Sequence, residues 1–186
     1  EEMTSIAGSK ARFVLLGLPE DIGVRANGGI GGADTAWVPF LRSFLQIQET
    51  RLLSGKDFVV LGHLDISERK SSLKDASIGL LRTATATIDD LVGPVIRLII
   101  EAGKIPIVIG GGHNNAFPML KGASDALNGP LNAINLDAHA DFRPIEGRHS
   151  GNGFRYAYES GYLKKYAALG LHEAYNNREM IAVIQE

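Results

Sequence analysis

Four side chains in this sequence have the types and spacing of metal ligands. Asp137, His139 and Asp141 stand at alternate positions in NLDAHADFR, and His113 closes the glycine run of GGGHNN. Two carboxylates with neutral imidazole form a hard-to-borderline donor set suited to manganese, iron or zinc. The aspartates follow the apolar run Leu131–Leu136 directly, so alternate residues are expected to converge where a strand meets solvent. The competing reading is a capped turn in which both aspartates hold backbone amides. It serves for either aspartate singly, but it leaves His113 at the end of a neighbouring unit unexplained. His113 taken alone reads more readily as a hydrogen-bonded structural histidine; the metal reading rests on the set.

These residues need elements to position them. Strands are predicted over Arg12–Gly17, Asp57–Leu61, Ile105–Ile109, Leu131–Leu136 and Tyr166–Leu169. Those with Val or Ile runs are apolar at successive positions, as expected of parallel strands covered on both faces. Between them lie helical patterns. Asp34 is expected to cap Thr35–Ile47, with Pro39 about a turn in. Leu91, Val92, Val95, Ile96, Ile99 and Ile100 share one helical face, and Gly103 suits the C-terminal end. Asn114 or Asn115 is expected to cap a helix reaching about Ala126, with Pro118 in its first turn. The pattern predicts a single α/β domain over residues 1–186, three layers deep, with a mainly parallel sheet. In such sheets ligands gather beyond the carboxyl ends of the strands.

Composition narrows the class. A formal charge of -2, with 45% hydrophobic and 22% charged residues, is ordinary for a soluble globular protein and gives no reason to expect nucleic acid. No apolar run approaches the ~20 residues that span a bilayer, and no signal-peptide pattern is present. Cysteine is absent, which excludes disulfides, thiolate ligands and cysteine nucleophiles, and a cytoplasmic location is the default expectation. Position 1 is Glu rather than Met.

Other motifs carry less. Gly110-Gly111-Gly112 before a helix permits an anion cradle, but no Lys-Ser/Thr follows to make a P-loop. Gly28-Gly29-Ile30-Gly31-Gly32 lacks the G-x-G-x-x-G spacing and reads as a flexible active-site loop. His63 reads as structural, and His172 with Glu173 is ambiguous.

Together GGGHNN and NLDAHADFR resemble the ureohydrolase superfamily of arginases, agmatinases and formimidoylglutamases. The loop GVRANGGIGGAD and the segment SGNGFRYA, Ser150–Ala157, extend the resemblance over most of the chain. The Gly-Gly-Gly-His form, Arg143 and Gly153-Phe154-Arg155 are most similar to formimidoylglutamases. The resemblance implies an arginase-like, doubly wound fold carrying two manganese ions. By motif match, His113 and Asp141 would bind the first ion, His139 the second, and Asp137 both. A water acidified by the two metals would attack an amidine carbon, turning N-formimidoyl-L-glutamate into glutamate and formamide in histidine breakdown. No side chain is assigned as general acid. For a substrate with two carboxylates, Arg143, Asn152 and Arg155 are the expected substrate-binding residues, because guanidinium pairs with carboxylate through two aligned hydrogen bonds. Arg148 reads as surface charge.

The sequence also departs from the family. Family members complete the site with a later Asp-x-Asp, yet no aspartate follows Asp141 here. Phe154 stands where arginases carry a histidine, which argues against arginase activity. The chain is therefore expected to be part of a longer enzyme, stopping after about five strands, inside a helix at IAVIQE. The alternatives are another ureohydrolase, or a short relative that binds ligand without catalysis. Exposed apolar sheet edges would favour a homo-oligomer.

Overall fold

The computed structural model describes residues 6–185. Five strands alternate with helices in chain order: β1 Phe13–Gly17, α1 Ile22–Ala26, α2 Trp37–Phe44, β2 Phe58–His63, α3 Ser67–Ser72, α4 Ile78–Glu101, β3 Ile105–Ile109, α5 Ala116–Leu127, β4 Leu131–Leu136, α6 Gly153–Glu159, β5 Leu163–Leu169 and α7 Arg178–Gln185. Every pairing is parallel, as the crossover helices require. The expected strands are all present, with β2 running on to His63 and β5 starting three residues early at Leu163.

The expected sheet is divided in two. β1 lies between β2 and β3, aligning Phe13 with both Phe58 and Ile105, while β4 pairs with β5 alone. Coverage also differs from the expectation. On β4 Asn135 is buried, yet Ile134 is 74% and Leu136 84% exposed, so one face of this strand has no cover among the described residues. An apolar run at successive positions shows what a strand is able to bury. It does not show what is there to cover it.

The long helix α4 carries the main core. Leu81, Ala84, Thr85, Ile88, Val92, Ile96 and Ile99 are buried at helical spacing; Leu81, Ala84, Ile88, Val92 and Ile96 pack with Leu16, Leu18 and Ile22 from the β1–α1 unit, and Ile99 packs with Val14. Leu91, expected on this face, is exposed, because the buried stripe runs through Ile88 and Val92 instead. Ser77 caps the helix by accepting from the Leu80 N–H, and Gly103 follows its end at φ 73° as expected.

Two expected caps are not made. Ala33–Thr35 is a separate 3-10 turn, α2 begins at Trp37, and Asp34 pairs with Lys70. Neither Asn114 nor Asn115 caps α5, because His113–Asn115 forms a 3-10 turn whose side chains face inward. A second core of Ala140, Phe142, Phe154, Ala157, Leu163 and Met180 joins α6, β5 and α7 beneath the loop after β4. Among the described residues no helix is long and apolar enough to cross a membrane.

Candidate metal centre

β3 ends at Ile109 and β4 at Leu136, so the glycine turn with His113 and the loop with Asp137, His139 and Asp141 both leave from carboxyl ends of parallel strands. The two loops meet. His113 Nδ1 lies 2.6 Å from Asp141 Oδ2 and 3.2 Å from Asp137 Oδ2. One ligand atom from each of these three residues falls within 4.8 Å of the others. Both carboxylates face the same ring nitrogen, an arrangement that concentrates donors suited to one cation.

Asp141 reaches this point with φ at 46°, a left-handed backbone that aspartate tolerates better than most residues. His139 stands on the other side of Asp137. Its Nδ1 is 3.3 Å from Asp137 Oδ1, and its backbone N–H donates to the same oxygen at 2.9 Å. Asp137 thus directs one oxygen toward His113 and the other toward His139. The ring of His139 is more than half exposed and stacks on Tyr175 at 5.2 Å, and Tyr175 stacks on His172 at 4.3 Å. His139 lies outside the three-residue group.

The electrostatics follow from this geometry. The Asp141 hydrogen bond, working against burial and joined by the charges of Asp141 and Asp137, holds the His113 pKa above its ordinary value. Burial works to raise Asp137, but hydrogen bonds from His139 and the charges of His113 and His139 leave it below the usual carboxylate range. Phe154 closes one side, its ring edge-on to His113 at 5.3 Å. A largely apolar cleft of about 500 Å3 runs from His113 and Phe154 along β3 to Ile96 and Ile100.

The glycine turn has an anion after all, and it is the protein's own. Glu20, fully buried just past β1, accepts from Gly112 N–H and from Asn115 Nδ2, both at 2.7 Å, and from Gly23 N–H at 3.2 Å. Gly111, at φ 78°, makes room for it, since a Cβ there would lie 2.8 Å from Leu18 O and 3.1 Å from Glu20 Oε1. Glu20 therefore fixes the turn that aims His113. Only its place after a strand could have marked it in the sequence. Groups that orient metal ligands typically contribute 10–100-fold to metal affinity. Glu20→Ala is expected to weaken manganese binding by about tenfold or more, with Glu20→Gln losing less. Titration of the metal against both variants checks this, and unchanged affinity in Glu20→Ala would rule the role out.

The candidate substrate residues divide. Arg143 is partly exposed two residues beyond Asp141, donating to Asn27 Oδ1 at 2.6 Å and to Glu146 Oε1 at 3.1 Å. Arg155 does not join the site. It pairs with Glu159 at 2.5 Å, lies over the Phe142 ring, and lines a separate recess with Pro144, Asn177 and Met180. Asn152 is wholly buried, with Oδ1 accepting from Arg148 and from His149 N–H while Nδ2 donates to Pro144 O and Gly147 O. Its hydrogen-bonding capacity is spent within the loop in this structure.

Arg148 is not surface charge. It is 5% exposed and bonds Asp89 at 2.7 and 3.3 Å, Asn114 O at 2.8 Å and Asn152 at 2.8 Å, between the rings of Phe117 and Tyr156. Burial pushes the Asp89 pKa up to about 7 even with Arg148 beside it.

A family model described as the arginase family matches residues 11–185. The formimidoylglutamase of Aromatoleum aromaticum is 32% identical over 176 residues, covering 88% of this chain and 48% of that protein. The formimidoylglutamase of Geobacillus thermodenitrificans is 29% identical over 170 residues, covering 90% and 48%. The chain spans about half the length of these curated relatives. In fold it is similar to Trypanosoma cruzi formiminoglutamase crystallised with manganese, at a TM-score of 0.73 and 23% identity, covering 98% of this chain and 61% of that one.

Proposed function

The chain belongs to the arginase family, and on that premise we propose that the protein is a manganese-dependent amidine hydrolase converting N-formimidoyl-L-glutamate and water to L-glutamate and formamide. The meeting of His113, Asp137 and Asp141 at two strand ends carries this reading, because it offers a hard-to-borderline donor set at one point. The names of the two curated relatives and the manganese of the trypanosomal structure support the choice of substrate and metal. In this reading His113, Asp137 and Asp141 would hold one ion, and Asp137 and His139 would contribute to another.

Bound manganese supplies a Lewis acid that lowers the pKa of water and polarises the amidine. The side chains position the substrate. Phe154 keeps the face of His113 dry, and Arg143 pairs with a substrate carboxylate through its planar fork. Removing one partner of a desolvated charge pair costs about 2–5 kcal/mol. Arg143→Ala is therefore expected to lower kcat/KM for N-formimidoyl-L-glutamate by roughly thirtyfold or more, with bound manganese unchanged. The assay on the full-length protein compares formamide release from this substrate with urea release from arginine and agmatine. Urea without formamide would overturn the substrate, and no turnover of any of the three would favour a ligand-binding relative.

A further inference from the structure

One oxygen in this molecule gathers donors from three parts of the chain. Glu146 Oε1 lies 3.2 Å from Arg82 Nη2, 3.1 Å from Arg143 Nη2 and 3.1 Å from His149 Nε2. Arg82 comes from α4, Arg143 from the loop after β4, and His149 from the start of the 3-10 turn that leads into α6. We propose that Arg82, Arg143 and His149 form a carboxylate-binding site for the acidic end of the substrate, and that Glu146 fills it as an internal stand-in when substrate is absent. The inference rests on the proposed function for the identity of that carboxylate.

The donors each have other partners, while the Glu146 side chain is bonded only to them among the described residues. His149 is fully buried, and its Nδ1 accepts the Gly151 N–H at 3.1 Å, so the ring proton must sit on Nε2, aimed at the carboxylate oxygen. Burial, together with the charges of Arg143 and Arg82, pushes its pKa down to about 4, so it donates as a neutral imidazole near neutral pH. Arg143 is held by Asn27 Oδ1 at 2.6 Å, and Arg82 by Glu146's own backbone carbonyl at 2.5 Å and Ala26 O at 3.3 Å. These anchors do not depend on the Glu146 side chain.

That side chain is 37% exposed on the loop between β4 and the 3-10 turn at Ser150, next to Gly147, whose φ is 100°. An incoming carboxylate restores the same three hydrogen bonds, so the exchange conserves them. Two guanidiniums share this single carboxylate, leaving the cluster with unmatched positive charge. The site also adjoins the candidate metal centre, since Arg143 follows Asp141 by two residues, at most about 7.6 Å between Cα atoms. Arg82 and Arg143 thus both serve one substrate carboxylate.

The test is calorimetric titration of L-glutamate into the full-length protein and its variants, with agmatine as a ligand lacking carboxylates. Glu146→Gln keeps the shape and removes the competing charge. It is expected to tighten L-glutamate about tenfold, roughly 1.4 kcal/mol, and to leave agmatine unaffected. Adding Arg82→Gln to that variant is expected to lose at least the same factor, with the unfolding midpoint followed to separate binding from stability. Unchanged or weaker L-glutamate binding in Glu146→Gln, including no detectable binding in either protein, overturns the inference whatever Arg82→Gln does. The readout needs no turnover. If formamide is never released yet Glu146→Gln tightens L-glutamate, the proposed reaction fails and this site stands. If formamide is released without tightening, the reaction stands and this site fails.

Discussion

Asp137→Ala is expected to weaken manganese binding by more than about 100-fold, beyond the range typical of groups that only orient a ligand, and to abolish measurable hydrolysis. Both carboxylate oxygens of Asp137 are engaged, one facing His113 Nδ1 at 3.2 Å and the other His139 Nδ1 at 3.3 Å. No neighbouring group can take up both positions. Elemental analysis after dialysis against fixed free manganese measures the loss, with Arg143→Ala as the variant that keeps its metal. Metal content equal to wild type in Asp137→Ala would end the metal-centre reading.

The same site carries a pH dependence of definite sign. Metal ligation requires neutral His113 and ionised carboxylates. The pKa of metal-free His113 is raised by Asp141 and Asp137, so its proton competes with the metal to a higher pH than an ordinary histidine's would. Manganese affinity is expected to climb as pH rises through that raised value and to fall on acidification. An affinity flat from pH 6 to 8 would contradict it.

The largest effect on stability is expected at Arg148. Removing one member of a buried ion pair typically costs about 3–5 kcal/mol, and here Asp89, already raised by burial, would lose the partner that holds its pKa down and take up a proton. Arg148→Ala strands Asp89, which is 4% exposed, and also releases Asn114 O in the turn beside His113. That loss is a large part of a domain's net stability. The double variant Asp89→Leu with Arg148→Met removes both charges and fills their space, so it is expected to unfold at higher denaturant than Arg148→Ala alone. Denaturant unfolding of both proteins provides the comparison. Arg148→Ala within about 0.5 kcal/mol of wild type would sink the account, since that is the range of surface substitutions.

Local sequence determined the strands and the placing of polar ligands at their ends. β3 and β4 have the predicted bounds because short branched apolar runs set off by turn residues favour extended backbone. The clustering of His113, Asp137 and Asp141 was legible because a strand's carboxyl end fixes where the next few residues emerge, whereas His139 lies outside that group. The motif resemblance pointed to a family that the family match bears out.

Local sequence does not decide which charges find partners. Arg148 has the look of surface charge until Asp89, 59 positions away, is brought against it, and Glu20 meets Gly112 across 92 positions. Nothing in SGNGFRYA distinguishes the wholly internal hydrogen bonds of Asn152 from a substrate contact, or shows that Arg155 pairs with Glu159 in a separate recess. Capping failed for a related reason. Asp34 and Asn115 have longer-range partners in Lys70 and Glu20, and a tertiary ion pair or a buried carboxylate outweighs a local turn. Periodicity reports which residues are able to be buried, whereas the tertiary structure alone sets what each buried or half-buried charge faces, because that depends on segments far apart in the chain.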